Sequence, residues 1–336
     1  MFPQPGACCN LEIARKVDGD ARIARMERMM RHAPVLLFAV AIAFSAGAPA
    51  HAQDKGSINP KPLPALANPD SPGTPAKELF GRKATPADLE ARAIGFYSRG
   101  CLAGGEALPI NGPAWQVMRL SRNRNWGHPN LIAFLEKFAR TVPRVSNWPG
   151  LLVGDISQPR GGPMLTGHAS HQIGLDADIW LTPMPRRELS RVEREEMSAT
   201  DMVRADRLDV DARVWTPDHA AVIRAAAKDG QVQRIFVNAA IKKALCREAG
   251  GDRGWLNKVR PMFGHNYHFH VRVFCPGGGE ACAGQDPVPP GDGCDQLDWW
   301  FSDAVLHPKP RPPGKPKPPM TMASLPAECR VVLKAQ

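Results

Sequence analysis

The sequence has no run of about 20 apolar residues, the length a membrane-spanning helix needs. It has no HExxH, the helical motif of the commonest zinc proteases, and no GxSxG, the nucleophile turn of α/β-hydrolases. No CxxC pair occurs, which removes the simplest cysteine zinc site. Gly161-Gly162-Pro163 is not followed by a helix carrying Lys-Ser/Thr, so it is no phosphate loop. It reads as an ordinary turn, with a loop lying over a cleft as the alternative. Aromatic residues are scarce, at 7%, and few interleave with the basic ones. With no recognised nucleic-acid motif, nucleic-acid binding is not expected.

Basic residues and export signals are present. The net charge is +10, and residues 1–52 hold six Lys/Arg against four Asp/Glu, so about +8 belongs to the rest. Such a balance suits a polyanionic neighbour such as the cell envelope. Arg28 and Arg31 precede a short apolar run over residues 35–44, and Ala50-His51-Ala52 supplies a small-x-small cleavage site. This is a secretory signal peptide, cleaved after Ala52. Met26, Met29 and Met30 are alternative starts, in which case Cys8 and Cys9 have no role. Residues 53–77 form a Pro-rich extended lead-in, 78–306 the main domain and 307–336 a basic Pro-rich strap. The tract at 307–319 carries four cations and no acid and is expected as extended polyproline. The mature part is expected to be periplasmic, with no lasting membrane span. No oligomeric state is implied.

Six cysteines remain beyond residue 52: Cys101, Cys246, Cys275, Cys282, Cys294 and Cys329. An even number in an exported chain implies disulfides, and six allow 15 connectivities.

Three helices are legible. One starts at Pro129, with Leu131, Phe134, Leu135 and Phe138 at helical spacing, and stops at Pro143. A second opens at Thr216-Pro217-Asp218 and ends at Gly230; a third is capped by Asn238 and ends at Gly250. Residues 93–97, 115–120 and 234–237 read as strands, and Glu188 to Ala199 as a solvated charged helix. Helices and short strands in mixed order argue for an α+β fold.

Two stretches hold five of the ten histidines. In the second, His268, His270 and Arg272 alternate with Phe269, Val271 and Val273, so the two imidazoles share one strand face. In the first, His171 and Asp178 are separated by six residues, with Gly174 permitting a turn and Ala177 to Trp180 reading as a strand. His171, Asp178 and His270 make a two-His, one-carboxylate set. Nitrogen and oxygen ligands suit Zn²⁺, and three protein ligands leave a fourth position open. A base must then stand within reach of the reacting water, and His268 is the candidate. Asp176 reads as a supporting or exposed residue.

The His-x6-Asp and His-x-His set resembles the group that includes lysostaphin, D-Ala-D-Ala peptidases and the hedgehog domain. Leu120-Ser121-Arg122-Asn123-Arg124-Asn125-Trp126-Gly127-His128-Pro129, Gly167-His168-Ala169-Ser170-His171-Gln172 and Lys258-Val259-Arg260-Pro261 resemble, more narrowly, the penicillin-insensitive murein endopeptidases. The likeness spans most of residues 80–330. It implies a small antiparallel sheet with flanking helices, stapled by Cys101–Cys329, Cys246–Cys294 and Cys275–Cys282. It also supports His268 as base, assisted by His265 through the oxyanion, and places His168 in the site as a further ligand or substrate contact. Some members carry a second metal position. Its counterparts here are Asp206 and Asp209, where Asp replaces the family's His, so a second zinc departs from the pattern. The implied activity is hydrolysis of D-alanyl-meso-diaminopimelyl cross-links of peptidoglycan, indifferent to penicillin. The alternatives are a D-Ala carboxypeptidase or dipeptidase of the same fold, or a non-catalytic metal-containing envelope protein.

Overall fold

The computed structural model describes residues 55–277, 281–310, 314 and 317–336. The signal segment and part of the proline tract lie outside the described residues. Among those described, no helix is long and apolar enough to cross a membrane.

Among the described residues, eleven strands and seven α-helices form an α+β unit. In chain order these are α1 (Ala76–Phe80), β1 (Arg92–Phe96), β2 (Arg99–Ala103), β3 (Glu106–Ala107), β4 (Asn111–Gly112), β5 (Trp115–Val117), β6 (Trp126–Gly127), α2 (Pro129–Val145), β7 (Leu151–Val153), β8 (Asp176–Trp180) and α3 (Arg191–Glu196). There follow α4 (Pro217–Lys228), β9 (Val232–Val237), α5 (Ala239–Glu248), β10 (Val259–Pro261), β11 (His268–Val273), α6 (Asp303–Leu306) and α7 (Cys329–Lys334). One sheet of seven strands, in the order β10-β9-β11-β8-β7-β5-β4, carries the core. Its centre, β9-β11-β8-β7, is antiparallel, while β10 on β9 and β5 on β7 run parallel. β8 and β11 are buried along their whole length, so both faces are covered.

Local chemistry explains the helices. In α2, Leu131, Ile132, Phe134, Leu135, Phe138, Ala139 and Val142 are buried on one stripe, and Pro129 sits where its missing N–H is harmless. Pro143 does not stop this helix, which runs to Val145. A proline removes only its own N–H, and the next turn closes because Ser146 N donates to Val142 O. Asn238 caps α5 by accepting from Ala240 N at 2.9 Å. α4 ends just before Gly230, as expected, with its last turn closed by extended backbone at Asp229 and no positive φ at the glycine. The strand expected over 115–120 ends at Val117, where Arg119 turns left-handed and a short 3-10 turn follows.

The charged stretch at 188–199 is a solvated face only in part: Glu188, Arg191 and Glu196 are exposed, but two charges turn inward. α3 is short, and within it Arg194 and Glu195 are 2% and 0% exposed. Arg194 satisfies the carbonyls of Leu189, Ile110 and Val117, while Glu195 accepts from the Ser121 amide and hydroxyl. Both charges are fully hydrogen-bonded, as burial demands. Gly161-Gly162 is a packed turn. A Cβ on Gly162 would lie 2.3 Å from the Phe80 ring, so this segment does not hang free over a cleft.

The disulfides are Cys101–Cys329, Cys246–Cys294 and Cys275–Cys282. The first buries both sulfur-bearing residues and ties α7 to β2 across a separation of 228 residues.

Candidate metal centre

β11 and β8 pair in register with His270 directly opposite Asp178 and Arg272 opposite Asp176. Period-two alternation puts His268, His270 and Arg272 on one face, and pairing delivers Asp176 and Asp178 to them. The loop before β8 brings His168 and His171. Gly174 allows it, since its φ is +69° and its carbonyl accepts from His128 N at 2.8 Å. His171 itself is left-handed at φ +69°, held there by its amide on Asp176 Oδ2 at 3.1 Å. A non-glycine residue kept in that region is a feature of functional loops.

The hydrogen bonds fix which nitrogen each ring presents. His171 Nδ1 donates to Ile156 O at 2.5 Å, so Nε2 carries a lone pair, and it faces Asp178 Oδ1 at 3.4 Å. His270 Nε2 donates to Asp176 Oδ1 at 2.9 Å, which leaves the Nδ1 lone pair 3.4 Å from the same Asp178 Oδ1. His168 Nε2 donates to Asp155 Oδ2 at 3.0 Å, and its Nδ1 stands 3.4 Å from Asp178 Oδ2. Three imidazole lone pairs thus face the oxygens of one buried carboxylate. His171 Nε2, Asp178 Oδ1 and His268 Nδ1 are buried without a hydrogen-bond partner. Such atoms in a dry site need a proton or a metal ion between them, and, against the opposing effect of burial, Asp178 accordingly raises the His171 pKa. Ligand atoms of His168, His171 and Asp178 all lie within 4.8 Å of one another, a set able to hold a metal ion. The donor set therefore fits a divalent metal, with outer carboxylates and a carbonyl turning each ring, as metal sites require.

The carboxylates are held ionised. Burial alone would push Asp178 up, but the imidazoles of His268, His168 and His171 facing it outweigh that and hold it well below the usual range. Asp176 is likewise buried, yet Arg272 and His270 hold it low. Arg272 grips both its oxygens, Nε at 2.7 Å and Nη2 at 3.2 Å, and its guanidinium lies 4.0 Å from the Tyr97 ring centre. Asp176 is therefore a supporting residue and not an exposed one. Burial lowers the His268 pKa to about 3 and that of His270 to about 4, so both rings are neutral lone-pair donors near pH 7.

Residues 93–334 match the family described as penicillin-insensitive murein endopeptidase. The chain belongs to that family. A penicillin-insensitive murein endopeptidase of Haemophilus influenzae is 49% identical over 234 residues, 67% of this chain and 80% of that protein. One from Klebsiella pneumoniae is 42% identical over 266 residues, covering 78% and 93%. One from Pectobacterium atrosepticum is 43% identical over 259 residues, covering 77% and 89%.

In this murein endopeptidase family member, His168, His171, Asp178, His268 and His270 are brought together. His265 stands beside them, its ring 4.8 Å from that of His268 and its Nδ1 on Phe263 O. Asp206 and Asp209 are not part of this cluster. Asp206 pairs with Arg204, and Asp209 with Arg247 at 2.9 Å. Asp155 carries no signal in the sequence, yet it anchors His168, Arg122 and Arg124 on one oxygen. The only local hint is the Arg-x-Arg at 122 and 124, two partly buried cations that both find their carboxylate in Asp155.

Proposed function

We propose that this protein is a zinc endopeptidase of the bacterial periplasm that hydrolyses D-alanyl-meso-diaminopimelyl cross-links of peptidoglycan. The observation that carries it is the meeting of His171 Nε2, His270 Nδ1 and Asp178 Oδ1, with each ring N–H turned outward onto a protein acceptor. These three would hold the ion, with His168 as a further ligand. Nitrogen and oxygen donors of this kind favour zinc. When bound, the ion supplies a Lewis acid for an amide carbonyl and for water.

The chain's own groups do the rest. Burial keeps His268 neutral, and it lines the cleft beside Asp178, placed to take the proton released when water adds to the amide. His265 is also held neutral by burial. With Nδ1–H on Phe263 O, it presents Nε2, so a role at the oxyanion requires it to pick up a proton during turnover. Asp176 and Asp155 hold the rings of His270 and His168 in register. No serine nucleophile is involved, so a β-lactam has nothing to acylate. Asp206 and Asp209, both ion-paired, are assigned no second metal. Residues 1–52, which lie outside the described residues, are read as the export signal, consistent with three disulfides.

The test uses metal-replete residues 53–336 and a defined cross-linked muropeptide dimer. Monomer release that survives penicillin and stops with a chelator is expected. Release of free alanine with the cross-link left intact would overturn the endopeptidase reading in favour of a carboxypeptidase.

A further inference from the structure

The cleft beside Asp178 is lined by Arg119 and Arg122 against two carboxylates, Asp155 and Asp178, and a second pocket on the His265 side, sharing Arg122, His168, Tyr267 and His268 with it, adds Arg124. Arg119 is turned away: its guanidinium donates to Arg194 O and Met197 O and lies over Trp180. Arg124 is nearly buried, its side chain 9% exposed, and spans Asp155 and Thr166. Arg122 is more open, at 20%, and borders the cleft on both its Asp178 side and its His265 side. Its Nη1 lies 3.0 Å from Asp155 Oδ2, the same oxygen that holds His168 Nε2 at 3.0 Å. One carboxylate oxygen therefore ties this guanidinium to the ring that faces Asp178.

We propose that Arg122 is the carboxylate-recognising residue of the substrate cleft, taking the free carboxylate on the carbon that bears the scissile amide nitrogen, with Asp155 and Arg124 positioning it. This rests on the endopeptidase reading above. In a D-alanyl-diaminopimelyl cross-link that carbon carries an ionised carboxylate. Bond lengths place it within roughly 4 Å of the scissile carbonyl carbon. Its partner must therefore stand next to the groups that handle the carbonyl, where Asp155 fixes Arg122. A guanidinium matches a carboxylate by a planar pair of charge-assisted hydrogen bonds. In an ordinary protein chain the same carbon carries a neutral amide, which forms no such pair. Arg122 thereby separates a wall cross-link from an ordinary peptide bond.

The test compares two cross-linked dimers that differ only in whether this carboxylate is free or amidated. With metal-replete wild-type enzyme, amidation is expected to lower kcat/KM by about 10- to 100-fold, the range for losing a hydrogen bond to a charged group. Arg122→Gln should lose about as much on the free dimer and show a free-to-amidated ratio near one. Arg122→Lys keeps the charge without the fork and should show an intermediate ratio. The ratio is taken within each enzyme, so general damage from disturbing Asp155 cancels. Equal cleavage of both dimers by wild type, or a wild-type ratio retained in both variants, overturns the assignment to Arg122 while leaving the endopeptidase reading intact. Cleavage of neither dimer by wild type overturns both.

Discussion

Asp176→Asn should weaken metal binding without touching a proposed ligand. Asp176 is fully buried and accepts from four donors: His270 Nε2 at 2.9 Å, Arg272 Nε at 2.7 Å, Arg272 Nη2 at 3.2 Å and His171 N at 3.1 Å. An asparagine keeps one oxygen and turns an NH₂ group toward two of these donors. If the amide faces His270, the ring loses its acceptor and is free to move its proton to Nδ1, covering the lone pair now aimed at Asp178. If it faces the other way, the His171 amide loses the contact that holds a left-handed backbone. In either orientation the Arg272 charge stays buried without a counter-ion. Breaking a buried ion pair on one side costs about 3–5 kcal/mol of stability. Loss of an outer-sphere partner typically costs about 10–100-fold in metal affinity. Two assays read these separately: urea denaturation of the metal-free protein, and competition for zinc against a chromophoric chelator. Both should fall. Zinc affinity within about twofold of wild type, with stability reduced as expected, would refute the argument, because Asp176 would then support the fold and not the ring. A second check is coupling. Asp176→Asn and Arg272→Gln share one interaction, so the double variant should lose less stability than the two single losses added.

Other outcomes follow from the same fold. His268→Ala should retain zinc and fold but lose about 10²–10⁴-fold in cross-link cleavage, the range for a general base; normal turnover would show that another group takes the proton. Replacing Cys101 and Cys329 by alanine removes a link across 228 residues, and the chain-entropy relation gives roughly 5 kcal/mol; for Cys275 and Cys282, separated by 7, it gives roughly 2–3 kcal/mol. Denaturant midpoints of the two double variants should fall in that order, and the reverse order would count against the entropic account. Lys242 is buried with Nζ on the carbonyls of Leu256 and Asp292, and burial lowers its pKa from 10.5 to about 7. Between those values the unfolded chain binds the proton that the folded chain gives up, so stability rises with pH across that window and is flat below it. Stability measured from pH 6 to 10 should lose that slope in Lys242→Met, and an identical slope in the variant would sink the assignment.

Much of the site was written in local patterns. Alternation over residues 268–273 put His268, His270 and Arg272 on one face, and a strand was legible over Ala177 to Trp180, one residue short of the observed Asp176–Trp180. The apolar stripe of α2 and the caps at Thr216 and Asn238 were equally local, because each rests on backbone geometry within a few residues. What lay beyond sequence was whatever depended on partners far along the chain. Alternation says that His270 and Asp178 each have a face; only the register of β11 on β8 sets them opposite each other. Asp155 has no periodic neighbour to mark it, and it became visible when the fold laid Arg122, Arg124 and His168 on one of its oxygens. Asp176 could not be told from an exposed carboxylate until Arg272 and His270 closed on it. Arg194 and Glu195 read as surface charges because charge alone reports preference for water; the sheet edge over Ile110 and Val117 supplied the acceptors that let Arg194 go inside. The sequence by itself determined which side chains share a face and which residues can turn. The tertiary structure decided which nitrogen of each histidine is left with its lone pair, because that depends on outer partners such as Ile156, Asp176 and Asp155, which local periodicity does not encode.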